Sequence, residues 1–170
     1  MINSIILNYD SVENLTYEDD GNYHIHVPVF YEFGNYSNDR MDLIFDTGAY
    51  ITVIAKKEAA LFGFDDSFTI QNNVPLAGFS GSCLSDIKVI PGIIMGGRWL
   101  EGIKVAVPHV DTATSILGLN VIEHFKFYID TENDDVYFAQ NTNPNIPEKL
   151  QCGKIHLLSE DMGRACGVRS

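Results

Sequence analysis

The chain has 170 residues, of which 45% are hydrophobic and 20% are charged, a composition typical of one globular domain rather than of a disordered protein. Eleven Lys and Arg residues against 23 Asp and Glu residues give a net charge of -12, so the protein repels nucleic acid and anionic membrane, and neither is expected as a partner. No stretch is apolar for long enough to cross a bilayer, and the start, MINSIILNYDSVENL, lacks the basic region of a signal peptide.

The three cysteines are an odd number, widely spaced and without a metal-ligand pattern: Cys83, Cys152 and Cys166. This usage predicts reduced thiols and a cytoplasmic protein. A disulfide between Cys152 and Cys166 is the alternative.

The first predicted structure is a hairpin. Residues 23–33 (YHIHVPVFYEF) alternate and are rich in aromatic and β-branched side chains, which predicts a strand. Residues 34–39 (GNYSND) form a turn cluster, and residues 40–45 (RMDLIF) read as the returning strand. This hairpin would place Asp46 at its end.

The middle of the chain alternates between a helix and further strands. Ala, Lys and Glu in residues 55–64 favour a short helix that Gly63 would stop. Residues 74–90 have a Gly/Ser-rich tip between extended arms, as a mobile hairpin would. Residues 92–108 read as two strands joined around Gly96 and Gly97.

The last predicted elements are a helix and a hairpin. Residues 115–125 (SILGLNVIEHF) open with an apolar pair and then place apolar side chains at helical spacing. Residues 126–140 form a hairpin turning at residues 132–135, and residues 141–150 (NTNPNIPEKL) have the composition of a linker.

The segment Asp46-Thr47-Gly48 places a carboxylate directly after an apolar run, where desolvating a charge is costly unless it is compensated. Gly48 permits a tight turn, and its N–H can point at the Asp46 carboxylate. Thr47 can bond across to a partner backbone without adding charge. A carboxylate held in this way is oriented but not neutralised. Two such groups sharing one proton can activate water for peptide hydrolysis, since like charges at about 3 Å cannot both ionise.

Two further elements follow the Asp-Thr-Gly-Ala motif: a Gly-rich hairpin at residues 78–81, and Ile116-Leu117-Gly118 opening a helix. With these three elements in this order, residues 23–140 resemble a retropepsin-type aspartic peptidase, the family of retroviral proteases and their cellular relatives. Gly118-Leu119-Asn120 is similar to the Gly-Arg-Asn of the retroviral members.

The resemblance implies an all-β fold: a single lobe forming a closed acid-protease barrel with one or two short helices. Residues 23–140 would be the peptidase domain, residues 1–22 an N-terminal extension and residues 141–170 a C-terminal tail. The implied activity is an aspartic endopeptidase with no cofactor and no metal. Asp46, Thr47 and Gly48 would form the catalytic centre. The substrate groove would be lined by residues of the loop and the hairpin: Ala49, Tyr50, Ile51, Ala77, Gly78, Phe79, Ser80 and Gly81.

The chain has one complete motif where a two-lobed enzyme needs two. Asp111 and Asp130 are each followed by Thr but lack the Gly, and both are interpreted as turn residues. The second carboxylate must then come from another copy, so a homodimer joined through the active-site face is expected, with an extended peptide or protein as substrate.

Two positions depart from the retroviral pattern. Tyr50 and Leu119 replace an acid and an Arg that pair with each other in that family, so an apolar or aromatic contact must replace the ion pair. Ala49 replaces the Ser that donates a hydroxyl to the carboxylate in other relatives. Without that donor, the dyad is expected to work nearer neutral pH than that of pepsin.

Other interpretations remain open. The fold can act as a non-catalytic binding or regulatory module, or as a zymogen whose first twenty residues or tail covers the cleft. GFSGS hints at a serine nucleophile with His109 or His124 as base, although the elbow pattern needs Gly at Ser82. His24 and His26 share a strand face without a third metal ligand nearby. Trp99 is predicted in the core, and the acidic residues near the last turn are predicted to be solvated or to form a weak cation site: Glu132, Asp134 and Asp135.

Overall fold

The computed structural model describes residues 11–14, 16–18, 24–33, 36–78 and 81–140. These residues form a mostly β single lobe with two short helices. The strands are β1 (Ser11–Asn14), β2 (Thr16–Glu18), β3 (His24–Phe33), β4 (Tyr36–Phe45), β5 (Thr52–Val53), β6 (Thr69–Gly78), β7 (Gly81–Met95), β8 (Arg98–Pro108), β9 (Ile116–Leu117), β10 (Phe125–Asp130) and β11 (Asp135–Gln140).

The strands build two sheets. A small sheet has the order β1-β11-β10, and a larger one has the order β2-β3-β4-β9-β5-β8-β7-β6. Most neighbouring strands are antiparallel, but β4 runs parallel to β9 and β5 runs parallel to β8. A single residue pair, Phe30 with Ile94, joins β7 back to β3. The closed barrel expected from the sequence stays a prediction.

Two clusters of buried apolar side chains form the core. The larger cluster lies between the sheets and includes Val27, Leu43 and Phe138. The smaller cluster contains Ala49 and Ile51 together with side chains of β6, β7, β8 and β9. The segment after Asp46 is therefore anchored in the core by its own apolar side chains.

The helices follow the predicted positions but are short. Helix α1 (Lys56–Leu61) ends before Gly63, whose φ of 71° is the left-handed conformation that favours glycine. A 3-10 helix, η1 (Asp66–Phe68), follows it. Helix α2 (Leu119–Ile122) is shorter than the periodicity of residues 115–125 predicted, because strands β9 and β10 take up its two ends.

Two other expectations were wrong. Residues 36–39 belong to strand β4 rather than to the predicted turn, since their backbone pairs with β3. Trp99 is 42% exposed rather than in the core. Its ring covers Gly92 on the paired strand, where a Cβ would lie 2.4 Å from the Trp99 Cζ2 atom. Trp99 therefore shields backbone from solvent.

Parts of the predicted N-terminal extension take part in the fold. Strand β1 pairs with β11, and β2 pairs with β3. Cys83 on β7 is disulfide-bonded, which differs from the expectation of reduced thiols. The prediction of a linker at residues 141–150 and the alternative Cys152–Cys166 disulfide lie outside the described residues.

In the part of the chain that the structure describes, no helix is long and apolar enough to cross a membrane. The same residues contain no group of three or more His, Cys, Asp or Glu side chains placed to hold a metal ion.

Candidate active site

Asp46 lies directly after β4, where the parallel pairing with β9 ends. Ile44 pairs with Ile116 and Phe45 with Leu117, and the Asp46 N–H donates to the Leu117 carbonyl at 3.2 Å. The Phe45 ring packs edge-on against Phe127 of β10, with centroids 4.7 Å apart. The residue before Asp46 is thus fixed by both sheets.

A tight turn orients the Asp46 carboxylate. The Ala49 N–H donates to the Asp46 carbonyl at 3.2 Å, which closes the turn. The Gly48 N–H donates to Oδ1 of Asp46 at 2.8 Å, the contact that the sequence predicted. Asp46 is half-buried and Thr47 is exposed. Among the described residues this carboxylate has one hydrogen bond and no ion pair, so its other oxygen can share a proton with a second carboxyl group.

The residues after the turn alternate between core and solvent. Ala49 and Ile51 are buried, whereas Tyr50 between them is 43% exposed. The N–H groups of Leu119 and Asn120 donate to the carbonyls of Ala49 at 2.8 Å and of Tyr50 at 3.2 Å. The start of α2 therefore holds the backbone of Tyr50 in place while its phenol ring projects into solvent. We call residues 46–52 the Asp46 loop.

A buried hydrogen-bond network locks the end of the Asp46 loop. Oδ1 of Asn120 accepts from the N–H of Thr52 at 2.8 Å and from its hydroxyl at 2.9 Å. The Thr52 hydroxyl also accepts from the Gly118 N–H at 3.1 Å, and Nδ2 of Asn120 donates to the Lys104 carbonyl at 2.9 Å. Both side chains are nearly fully buried. Sequence reasoning did not assign them to the site, although Asn120 stands in the Gly-x-Asn pattern that carried part of the resemblance.

Gly118 sits where two backbones touch. A Cβ at this position would lie 2.4 Å from the carbonyl carbon of Ile51 and 2.7 Å from the nitrogen of Thr52. No side chain fits there without a shift of the backbone, since real Cβ atoms essentially never come within 3.0 Å of a heavy atom outside their own residue and its chain neighbours. The glycine of the Ile-Leu-Gly element thus permits α2 to approach the Asp46 loop.

The predicted groove residues on the hairpin lie in two paired strands. Ala77 is half-buried on β6 and packs against the cluster that contains Ala49 and Ile51. Gly78 pairs with Gly81 across the hairpin. Phe79 and Ser80 lie outside the described residues. The structure therefore brings the arms of the hairpin and the Asp46 loop onto one cluster of buried side chains.

The other candidates have structural partners. Asp111 is exposed and contacts Lys56 at 3.3 Å, and Asp130 accepts hydrogen bonds from the N–H groups of Glu132 and Asn133 in a turn. Asp111 lies in a turn, and Asp130, the last residue of β10, caps the turn that follows it, so both take part in turns as predicted. His109 lies 2.9 Å from Asp86, and burial lowers the pKa of His124.

The serine elbow requires a strand followed by a helix. The segment after Gly81 is strand β7 instead, so the structure argues against that alternative.

Comparisons with known proteins agree with this geometry at the level of the fold. A retropepsin-like aspartic protease from Rickettsia conorii superimposes with a TM-score of 0.55 and 23% identity, covering 75% of this chain and 98% of that one. The chain has a retropepsin-like fold.

Two further solved structures have TM-scores below 0.5. EIAV protease complexed with the inhibitor HBY-793 gives 0.46 at 15% identity, covering 62% of this chain and 91% of that one. The retroviral protease-like domain of Ddi1 from Leishmania major gives 0.42 at 15% identity, covering 71% and 97%. No family model and no curated protein matches the chain. The assignment of a retropepsin-like fold therefore depends on the superposition with the protease from Rickettsia conorii rather than on sequence similarity.

Proposed function

We propose that the protein is an aspartic endopeptidase that acts as a homodimer. The observation that carries this proposal is the Asp46 carboxylate, oriented by the Gly48 N–H at 2.8 Å and left without an ionic partner among the described residues. The retropepsin-like fold supports it, because a single lobe with one such motif needs a second copy to supply the second carboxyl group.

In the proposed reaction the two Asp46 carboxyl groups share one proton. The ionised carboxylate takes a proton from water as the water oxygen attacks the carbonyl carbon of the scissile peptide bond. The protonated partner donates its proton to the carbonyl oxygen, which gives a tetrahedral gem-diol. A proton then passes to the peptide nitrogen, the C–N bond breaks, and a carboxylic acid and an amine leave. No covalent intermediate forms and no cofactor takes part.

The proposed substrate is an extended peptide that adds as a strand along the cleft. Ala49, Tyr50 and Ile51 would form one side of the groove, and the hairpin from Ala77 to Gly81 the other. Tyr50 offers an exposed aromatic surface with no charge, so apolar side chains are the expected preference.

Ala49 bears on the pH of the reaction. Its methyl group cannot donate a hydrogen bond to the dyad, so we expect the cleavage rate to be highest nearer neutral pH than for a pepsin-like dyad. A rate maximum below about pH 3 would contradict this. The cytoplasmic location remains a prediction from the sequence.

The test compares wild type with Asp46→Asn, which keeps the shape of the side chain and removes its acid–base chemistry. Cleavage of a peptide library, read by mass spectrometry, should be lost in the variant by a factor of about 1,000 or more. Asp42→Asn, in an exposed ion pair on β4, the strand that leads into Asp46, is the control and should cleave like wild type.

Equal cleavage by wild type and Asp46→Asn would contradict the proposal. A protein that binds the peptides but cleaves none of them would instead be a binding module. Sedimentation of the same samples would show whether a dimer is present.

A further inference from the structure

The β6–β7 hairpin has an irregular base. Strand β6 advances from residue 69 to residue 74 while β7 runs back only from residue 88 to residue 85, so β6 carries two bulges. Asn73 lies in the second bulge with a φ of 56°, a left-handed backbone conformation that residues other than glycine rarely adopt. This part of β6 needs support from outside the strand ladder. We call residues 69–78 and 81–88 the hairpin stem.

Asp86 supplies that support. Its Oδ1 atom accepts a hydrogen bond from the Asn73 N–H at 3.0 Å, and the same atom lies 2.9 Å from Nε2 of His109. The backbone N–H of His109 donates to the Leu84 carbonyl at 2.8 Å. Asp86 thus contacts both the bulge of β6 and the first residue after β8, which begins the connection to β9. Strand β9 pairs with β4 directly before Asp46.

Packing is incomplete on the side of β7 that carries Asp86, whereas Ile87 is buried in the smaller cluster. A cavity of about 410 Å³ lies between α1, η1 and the ends of β7 and β8. Its lining includes Lys56, Ala59, Gly63, Asp86, Lys88 and His109. Because this space contains no side chains, contacts across it cannot fix the strand, and the polar contacts of Asp86 add to the pairing of β7 with β6 and β8.

The groups around Asp86 favour the ionised form of its side chain. Burial raises the pKa of Asp86, but the Asn73 N–H, the His109 imidazole and the Lys88 ammonium together outweigh it and hold the pKa below its usual range. Asp86 therefore stays ionised at neutral pH. Lys88 itself bonds to the carbonyl of Asp65 at 2.8 Å and to the hydroxyl of Thr69 at 2.9 Å, one level further down the stem.

We propose that Asp86 and His109 are positioning residues that fasten the hairpin stem to the segment leading from β8 to β9, the strand that pairs with β4 directly before Asp46, so that the two sides of the candidate groove keep a fixed spacing. The His109 and Asp86 side chains are 41% and 22% exposed. Exposed ion pairs add little to global stability, so the fastener acts on local opening of the stem.

Amide hydrogen exchange of the free protein tests the proposal. Asp86→Ala removes the acceptor of the Asn73 N–H directly. Faster exchange at Asn73 is therefore expected whether or not the proposal is correct, and it does not count as a test. The deciding amides are those of Val74, Leu76, Ala77 and His109, which should exchange about tenfold faster in Asp86→Ala. His109→Gln, whose amide nitrogen can replace Nε2 as donor, should stay within about threefold of wild type, whereas His109→Leu should resemble Asp86→Ala.

Two controls separate local opening from general destabilisation. Asp42→Ala removes an exposed carboxylate that is paired with Arg40 at 2.7 Å on another hairpin, and it should leave the stem amides unchanged. Amides of β10 and β11 report global unfolding. All variants are compared in one redox buffer, because Cys83 lies on the same stem.

Amide exchange at Val74, Leu76, Ala77 and His109 within twofold of wild type in Asp86→Ala would overturn the proposal. An equal acceleration of β10 and β11 would also overturn it, since Asp86 would then only stabilise the whole fold. Exchange at the wild-type rate in His109→Leu would show that His109 is not part of the fastener.

The consequence for catalysis rests on the proposed function. In an active peptidase, Asp86→Ala should raise KM by about threefold to tenfold and change kcat less, because groove geometry rather than the dyad is altered. If wild type cleaves nothing, the proposed function fails, but the exchange result still decides the role of Asp86.

Discussion

The Asp46 loop and the hairpin stem are both held by hydrogen bonds, but in different surroundings. Around the loop the bonds are buried: Asn120 and Thr52 satisfy one another and the backbone of three elements, away from water. Around the stem the bonds reach partly exposed groups such as Asp86 and His109, beside an open cavity. Breaking a buried bond leaves a desolvated group unpaired, whereas an exposed group regains water. The same fold thus combines a rigid floor, formed by the Asp46 loop and its buried hydrogen bonds, with a more easily opened wall, formed by the hairpin stem.

Gly118→Ala should break the floor most severely. Its methyl group would overlap the backbone of Ile51 and Thr52, so α2 must move away from the Asp46 loop. We expect a loss of about 3 kcal/mol or more in the free energy of unfolding, measured in urea, together with loss of cleavage. Gly102→Ala is the matched control. Gly102 has a φ of 60° but open space around it, so only backbone strain of about 1 kcal/mol is expected. Equal losses in both variants would show that the close approach at Gly118 does not matter.

Asn120→Ala should be the next largest effect. It leaves the N–H and hydroxyl of Thr52 and the Lys104 carbonyl without their buried partner, at a cost of about 2–4 kcal/mol. Asn133→Ala removes an exposed amide that donates to Asp130 at 2.9 Å, and it should cost less than about 0.5 kcal/mol. Urea unfolding of the two variants measures the difference. A loss below 1 kcal/mol for Asn120→Ala would remove the contrast between floor and wall.

Lys88→Met tests a strongly buried polar contact of the stem. The Lys88 side chain is 5% exposed, and Met keeps its apolar length while the Asp65 carbonyl and the Thr69 hydroxyl lose their donor. We expect a loss of about 1–2 kcal/mol in urea. Lys56→Met, at a lysine that is 57% exposed and paired with Asp111, should change stability by less than about 0.5 kcal/mol. If both variants match wild type, the base of the stem is held by other contacts.

Glu123, at the end of α2, should make the floor sensitive to pH. Burial raises the pKa of Glu123 to about 7. Between these two pKa values the folded state binds a proton that the unfolded chain has already lost. The contribution of Glu123 to the free energy of unfolding is therefore fully present below the pKa of the unfolded chain, near 4.5, and is lost as pH rises through about 7. Tm should fall by about 2–4 °C between pH 5.5 and 8 because of this group, and Glu123→Gln should remove that part of the fall. The same pH dependence in Glu123→Gln as in wild type would contradict this.

Local patterns in the sequence predicted the elements and the turn of the candidate site. Alternation placed β3 and β4, Gly63 placed the end of α1, and Asp46-Thr47-Gly48 predicted the contact from the Gly48 N–H to the carboxylate. Each of these features is set by residues within a few positions of one another. This is why periodicity and turn chemistry were sufficient.

Features that depend on distant residues were missed. Asn120 and Thr52 are 68 positions apart in the sequence. Asp86 and Asn73 are 13 positions apart, and Asn73 lies in a bulge of β6 that the sequence does not reveal. No local pattern shows which side chain a buried polar group will meet. Trp99 was predicted in the core as an aromatic residue of a strand, whereas its contact with Gly92 depends on the register of β7 and β8.

A mixing experiment tests the central claim, that each active site contains one Asp46 from each of two subunits. Wild type and Asp46→Asn are mixed in equal amounts, allowed to exchange subunits, and assayed at a fixed total concentration. If both carboxyl groups are required, only dimers of two wild-type subunits cleave, and the rate falls to about one quarter of that of wild type alone. A rate that falls only to about one half would mean that each subunit works by itself, and the shared dyad would be wrong.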